Sequence, residues 1–260
     1  MKAPHSLIIG GTRGIGRELA AHFVRGGHKV SVIARRLPER KAAQAGVRYW
    51  QVDVRDEPAL SAVLHRLVKD AGKINHLVFF QRFRGTDDAW RGEIETSLTA
   101  TKTAVEAMQD KFAAGEKAIV VVSSINAELV AGYLPVGYHV AKAALRQMVR
   151  YWAVTLGGRG IRVNSVSPGT VLKEESKRFF LRDRKLSDLY RRITPLGRFG
   201  YAREVAQVIG CLCSEQTSFV TGQDIVVDGG VSLQWQESLA RELVDLDHAS
   251  AGKREKTGKK

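Results

Sequence analysis

Tyr138 and Lys142 stand four residues apart in Tyr138-His139-Val140-Ala141-Lys142, with Ser123-Ser124 shortly upstream. On a helix this spacing stacks a phenol and an ammonium on one face, a turn apart. A neighbouring positive charge favours phenolate and lowers the phenol pKa from its ordinary ~10, so the group can give or take a proton near neutral pH. With six tyrosines in the chain, a Tyr-x-x-x-Lys arises by chance in roughly one such sequence in three. The elements that position the pair must therefore decide what it means.

Ser6-Leu7-Ile8-Ile9 is a short apolar run ending in Gly10-Gly11-Thr12-Arg13-Gly14-Ile15-Gly16. Ile15, Leu19, Ala20 and Phe23 then recur at helical spacing until Gly26-Gly27. Strand, glycine turn and helix in that order let the backbone approach a pyrophosphate and aim free helix N–H groups at it. The spacing is Gly-x-x-x-Gly-x-Gly, not the commoner Gly-x-Gly-x-x-Gly. The second strand, Lys29 to Ala34, ends in Arg35-Arg36, where a site for NAD usually carries an Asp or Glu for the ribose 2′-hydroxyl. Arginine there suits a 2′-phosphate, and Arg13 can close on the same group. The three arginines together favour NADP(H).

Val47 to Val54 reads as a third strand, and Asp56 with Pro58 as the start of a helix with Leu60, Val63, Leu64, Leu67 and Val68 on its apolar face. Ile74 to Phe80 is a fourth strand. A helical stretch from about Asp87 to Ala114 leads to a fifth, Ala118 to Val122, which delivers Ser123-Ser124. The helix bearing Tyr138 and Lys142 runs to Leu156, before Gly157-Gly158. Ile161 to Val166 is a sixth strand, Ala202 to Cys213 a further helix, and Asp224 to Val227 the last strand. Apolar strands alternating with helices predict an α/β doubly wound parallel sheet of about seven strands, covered on both faces. Residues 1–233 are expected to form this single domain, 234–251 a helical extension, and 252–260 a disordered basic tail.

The chain has 260 residues, 44% of them hydrophobic, and a formal charge of +14. Such a surface attracts phosphates, acidic proteins or nucleic acid, and charge alone does not choose among them. Cys211 and Cys213 are two apart in a helical pattern, which suits neither a disulfide nor a zinc site and fits a reducing compartment. No metal is expected. Leu7-Ile8-Ile9 runs straight into glycines without a secretory h-region, and no apolar run is long enough to span a bilayer. The expectation is a cytoplasmic protein with no membrane partner.

At this point the chain resembles the short-chain dehydrogenases/reductases, in the subgroup that includes 3-oxoacyl-carrier-protein reductases. The resemblance covers about residues 5 to 233. It rests on Gly10-x-x-x-Gly14-x-Gly16, Asp53-Val54, Ser124, Tyr138-x-x-x-Lys142, Asn164 ahead of Pro168-Gly169, Pro195-Leu196-Gly197-Arg198-Phe199-Gly200, and Phe219-Val220-Thr221-Gly222-Gln223 leading to Val227-Asp228-Gly229-Gly230. It implies a Rossmann fold and NADP(H)-linked interconversion of a ketone and a secondary alcohol. Tyr138 would be the proton donor, Ser124 would hydrogen-bond the substrate carbonyl, and Lys142 would bind the nicotinamide ribose and depress the tyrosine pKa. Asp53 and Val54 would flank the adenine, and Pro168, Gly169, Thr170 and Val171 would line the nicotinamide. A homo-oligomer, tetramer or dimer, packed through the long helices is implied as well.

The chain departs from that family in several places. Phe79-Phe80-Gln81-Arg82 replaces Asn-Asn-Ala-Gly, and Arg82 either donates to cofactor phosphates or turns to solvent. Ser97 takes the position of the catalytic asparagine that normally holds a water in a proton relay behind the lysine. The interval from Ser124 to Tyr138 is one residue longer than usual, which keeps Ser123 open as a substitute. Trp235 to Asp247 reads as an extra helix with Leu239, Leu243 and Leu246 on one face, covering a neighbouring subunit, the chain's own pocket or ordinary surface. The stretch from Val171 to Thr194 carries eight bases against Glu174, Glu175, Asp183 and Asp188. As a substrate lid it suits an acidic carrier protein, coenzyme A or a phosphorylated or nucleotide sugar; a solvated helix face is the plainer reading. Two alternatives remain beside the reductase: an NADP-binding scaffold with little turnover, and a nucleic-acid contact through the tail, which only charge supports and which is not expected.

Overall fold

The computed structural model describes residues 3–244 apart from 175, 176, 178, 179 and 181, together with 246. Strand alternation sorts the apolar residues into two layers. In β1 (His5–Ile9), Leu7 and Ile9 face one layer and Ile8 the other. β4 (His76–Phe79) and β5 (Ala118–Val122) repeat the division, with Leu77, Phe79, Ile119 and Val121 on the first side and Val78 and Val120 on the second. Burial on both faces is what an all-parallel sheet requires.

With β2 (Lys29–Ala34), β3 (Val47–Gln51), β6 (Arg162–Pro168) and β9 (Asp224–Val227), these strands form a seven-stranded parallel sheet in the order β3-β2-β1-β4-β5-β6-β9. A two-stranded parallel ladder joins β7 (Val171–Leu172) to β8 (Gly200–Tyr201). The first face is covered by α2 (Glu57–Ala71), α4 (Ala100–Met108) and α5 (Val136–Gly157), through Leu64, Met108, Leu145 and Val149 among others. α1 (Gly14–Arg25) and a later helix, α7 (Ala202–Leu212), cover the second through Leu19, Phe23, Val205 and Ile209. Side chains such as Leu19 and Leu64, with no exposed surface, each contribute ~1.5–3 kcal/mol on burial.

Several element ends differ from the sequence reading, for reasons of partnership. β3 stops at Gln51 because β2 stops at Ala34, whose carbonyl takes the last bond, from Val52 N at 3.1 Å. Ile74 does not belong to β4. It bridges Phe112 instead, with Ile74 N on Lys111 O at 3.0 Å and Ala113 N on Ile74 O at 2.7 Å. That bridge needs an extended backbone, so the preceding helix ends at Met108 rather than near Ala114. The same helical stretch is not uniform: α3 (Ala89–Glu93) passes through a π turn, Ile94–Thr99, into α4. β6 runs on to Pro168, and Asn164 ties it to the approach of β9, donating to Val220 O at 2.9 Å and accepting from Gln223 N at 3.0 Å. Of the two cysteines, Cys213 is buried and Cys211 half-buried.

The remaining helices are α6 (Arg184–Arg192) and α8 (Gln236–Leu243). α8 buries none of its residues: Leu239 and Leu243 are half-buried and Leu246 is exposed. Asp247 and the 252–260 tail lie outside the described residues. No described helix is long and apolar enough to cross a membrane.

At the amino ends of β1, β2 and β4 histidines are packed on both faces of the sheet, His28 and His76 with Phe23 in the second layer and His5 on the first with Leu7 and Ile9. Ser6 Oγ shares hydrogen bonds of 2.9 Å with His28 Nδ1 and His76 Nδ1, and His5 Nε2 meets Ser31 Oγ at 2.9 Å. The His28 ring stacks on Phe23 with centroids 4.8 Å apart. Burial, then the charges of His28 and Arg162, push His76 down to about 3, and burial also lowers His5 and His28. Each of these groups binds its proton more readily when unfolded, so stability is fully present above the unfolded value near 6.5 and falls as pH drops toward the folded values. The fold is expected to lose ~3–5 kcal/mol between pH 7 and 3 through His76 alone. Urea midpoints measured across that range should show the loss, and His76→Phe should flatten it between pH 6.5 and 4.5.

Candidate active site

The chain leaves β1 for β2 and β3 on one side and returns to β4 on the other. The loops after β1 and β4 therefore diverge and open a crevice at the carboxyl ends of the strands. Two adjoining cavities occupy it, of about 600 and 230 Å³, sharing Gly10, Thr12, Arg13, Phe80, Arg82 and Arg84. The larger is lined by Arg35, Arg36, Asp53, Val54 and Arg55. The smaller reaches Gly14, Ile15, Gly16, Ser124, Tyr138, Lys142, Pro168, Gly169, Val171 and Lys173.

The glycine turn is built for close approach. Gly10 has φ +88, and a Cβ there would lie 2.9 Å from Gln81 N. A Cβ on Gly16 would lie 2.8 Å from Gly11 Cα and 3.0 Å from Gly10 O. Arg13 caps α1 without a side-chain hydrogen bond, and no acidic residue occupies the first turn. The first N–H groups and the positive end of the helix dipole thus remain available to an anion. Arg13, Arg17, Arg35 and Arg36 surround the larger cavity, a set that suits a terminal phosphate beyond the pyrophosphate. On the same wall Asp53 Oδ1 accepts from Arg55 N at 3.1 Å, and the Arg55 guanidinium reaches the other oxygen at 3.3 Å. Burial opposes its ionisation, yet Arg55, with Arg35 beyond, holds the Asp53 carboxyl below its ordinary value.

The smaller cavity holds the proton chemistry. Ser123 Oγ donates to Lys142 O at 2.9 Å, and Lys142 Nζ donates to Val122 O at 2.9 Å. Ser123 is thereby committed to α5 and does not substitute for its neighbour. Ser124 caps a 3₁₀ turn, Ile125–Ala127, its Oγ accepting from Asn126 N at 3.1 Å. Between Ser124 and Tyr138 the chain runs through an exposed loop that includes Val130 and Tyr133. Two cations flank the Tyr138 ring: the Arg82 guanidinium at 4.6 Å and Lys142 Nζ at 5.7 Å from its centroid. Lys142 is 4% exposed. Burial, the largest influence, brings its ammonium down to about 8; Glu93 works against that, while Arg82 and Lys173 reinforce it.

A hydroxyl, a phenol and an amine around one cavity, joined to an arginine-lined anion cleft, form the arrangement of a dinucleotide-linked oxidoreductase. A family model described as "Enoyl-(Acyl carrier protein) reductase" matches residues 10–232. The chain belongs to the short-chain dehydrogenase/reductase family. It is 31% identical over 249 residues to the A-factor type gamma-butyrolactone 1′-reductase of Streptomyces virginiae, covering 88% of this chain and 95% of that one. The L-rhamnose 1-dehydrogenase (NADP(+)) of Thermoplasma acidophilum is 28% identical, over 90% and 98% of the two chains. Among solved structures, ElxO with NADP bound superposes with a TM-score of 0.80 at 25% identity, covering 90% of this chain and all of that one.

Within this short-chain dehydrogenase/reductase, four placements were not legible in the sequence. Arg82, exposed at the crevice beside the glycine turn, lies over the Tyr138 ring. Ser97, expected at the position of the relay asparagine, is 1% exposed and donates to Glu93 Oε2 at 3.0 Å. Glu93 belongs to no motif that marks it, although Glu93, Ser97 and Thr101 recur every four residues. Thr170 borders a small cavity with Leu196 and Asp228, which meets the catalytic one at Val171.

The glycine turn provides a clean test of steric fit. Gly16→Ala sets a methyl against backbone and should cost ~1–3 kcal/mol. Gly158→Ala, at φ −61 with nothing within 4 Å of the new Cβ, should change stability by less than ~1 kcal/mol. Urea denaturation of the two variants checks the contrast.

Proposed function

We propose that this short-chain dehydrogenase/reductase is an NADPH-dependent carbonyl reductase that interconverts a ketone and a secondary alcohol, with Tyr138 as proton donor. The observation that carries the reading is the meeting of Ser124, Tyr138 and Lys142 around one cavity that opens into the arginine-lined cleft. The printed names of the NADP-dependent relative and the NADP-bound neighbour support the cofactor. The glycine turn, the uncapped end of α1 and Arg13, Arg35 and Arg36 would hold its phosphates, and Asp53 and Val54 would flank the adenine. Bound NADPH supplies the hydride.

The protein's own part is to orient and protonate. Ser124 Oγ donates a hydrogen bond to the substrate carbonyl and polarises it. Tyr138 delivers its proton to the same oxygen as negative charge develops there. The phenolate left behind is stabilised by the Lys142 ammonium and by the Arg82 guanidinium across the ring. The alcohol leaves, and solvent returns a proton to Tyr138.

The substrate we infer is anionic, in the class of acyl groups on an acidic carrier protein or coenzyme A, or of phosphorylated or nucleotide sugars. Arg82, Arg84 and Lys173 border the catalytic cavity. α6 adds Arg184, Lys185, Arg191 and Arg192 beside the aromatic group of Phe180, Tyr190 and Phe199. Glu175 and Arg178 of the same basic stretch lie outside the described residues. Tyr151 and Val154, exposed on α5, support a dimer or tetramer packed through that helix.

Tyr138→Phe is expected to lower kcat for NADPH-linked ketone reduction by ~10²–10⁴-fold with dinucleotide affinity retained. A native protein that binds NADPH but turns over no ketone would leave only the scaffold reading. Arg35→Asp should weaken NADPH far more than NADH in fluorescence titrations; equal weakening of both removes the 2′-phosphate assignment.

A further inference from the structure

Glu93 is a charged side chain that the chemistry above does not use, and it is 2% exposed. It ends α3 immediately before the π turn, an irregularity often found at functional sites. Its Oε2 accepts from Ser97 Oγ at 3.0 Å. Ser97 is in turn fixed by Thr101, whose Oγ1 donates to Ser97 O at 2.6 Å and accepts from Gln81 Nε2 at 2.6 Å. α3 comes close to the start of α5, because Gly137 has no side chain to hold it off. A Cβ on Gly137 would lie 3.0 Å from Trp90 Cα and 3.2 Å from Ala89 O. Glu93 lies about one turn beyond that contact on α3, and Lys142 little more than a turn beyond it on α5.

We propose that Glu93 is the counter-ion of Lys142: a positioning residue, fixed by Ser97, that keeps the ammonium charged beside the Tyr138 phenol. This role rests on the reductase reading of Tyr138 and Lys142. No direct ion pair joins the two charges, for Lys142 Nζ donates to Val122 O instead. They act on one another across a dry interior, where charges are weakly screened and an uncompensated one is costly. The other charged side chains that act on Lys142 do not favour its charge. Burial disfavours it, and so do Arg82 from the loop after β4 and Lys173 from the end of β7, whereas Glu93 on α3 opposes all three. Ser123 and Ser124 at the end of β5 are uncharged. With the ammonium already brought down to about 8, loss of Glu93 would leave much of Lys142 neutral under ordinary conditions. Ser97, where the family keeps its relay asparagine, here serves as the donor that orients this carboxylate.

Glu93→Gln preserves the shape and the bond from Ser97 while removing the charge. Lys142 is followed directly, by competitive trace acetylation across pH and peptide mass spectrometry, alongside the pH profile of NADPH-linked ketone reduction. The acetylation midpoint of Lys142 is expected to fall by ~1 pH unit or more in Glu93→Gln, and the alkaline limb of kcat/KM to move with it. Glu93→Asp should return part of the shift, and Ser97→Ala, which keeps the charge but frees it, should show a smaller one. An unchanged Lys142 midpoint in Glu93→Gln, or in Ser97→Ala should the first variant not fold, overturns the role even if activity is lost. A shifted midpoint in a protein whose native form reduces no ketone upholds the counter-ion and overturns the reductase reading instead.

Discussion

Two hydrogen bonds between the end of β5 and the second turn of α5 hold the site together. Ser123 gives its hydroxyl to the Lys142 carbonyl, and Lys142 gives its ammonium to the Val122 carbonyl. Strand and helix are thereby locked at the one level where Ser124 follows the strand and Tyr138 precedes the lysine by a helical turn. A side chain as long as lysine, buried in this way, has little freedom left to lose when a ligand arrives. Such rigidity is the condition for a proton donor that must be correctly placed before reaction rather than during it.

Charge is the second constraint, and it follows from the first. Fixing Lys142 in the interior weakens its hold on a proton, and Arg82 and Lys173 weaken it further. The same cations that make the crevice attractive to phosphates therefore strain the amine that tunes the phenol. A buried carboxylate acting on the lysine resolves that conflict without competing for the cleft, which Glu93 does not line. The departures from the family pattern fall around this knot: Gln81 and Arg82 in place of small residues, and Ser97 in place of asparagine. Gln81 holds Thr101, Thr101 holds Ser97, and Ser97 holds Glu93. The substitutions form one connected set of contacts rather than scattered losses.

Local periodicity carried much of the fold. The alternation of Leu7, Ile8 and Ile9 between two apolar layers, and the recurrence of Leu60, Leu64 and Leu67 on one helical face, are short-range patterns that a linear reading registers. The strand-turn-helix around Gly10, Gly14 and Gly16, and the four-residue step from Tyr138 to Lys142, are likewise local. They were enough to infer the doubly wound sheet and to nominate the groups that line its crevice. Element ends were not legible in this way, because a strand ends where its partner does. Val52 leaves the sheet when β2 runs out, and Phe112 is drawn from its helix by Ile74.

What the sequence by itself determined was therefore the set of secondary elements, their order and the chemical types at the carboxyl ends of the strands. Only the tertiary structure decided which charges meet. Arg82 lies on the Tyr138 ring, Ser123 is spent on the Lys142 carbonyl, Thr170 borders a second small cavity, and Glu93 is buried within electrostatic reach of the lysine. Each of these depends on packing between elements remote in sequence, such as the close passage of α3 over Gly137. Electrostatic influence depends on distance through a low-dielectric interior, and distance through space is the one quantity that position along a chain does not contain.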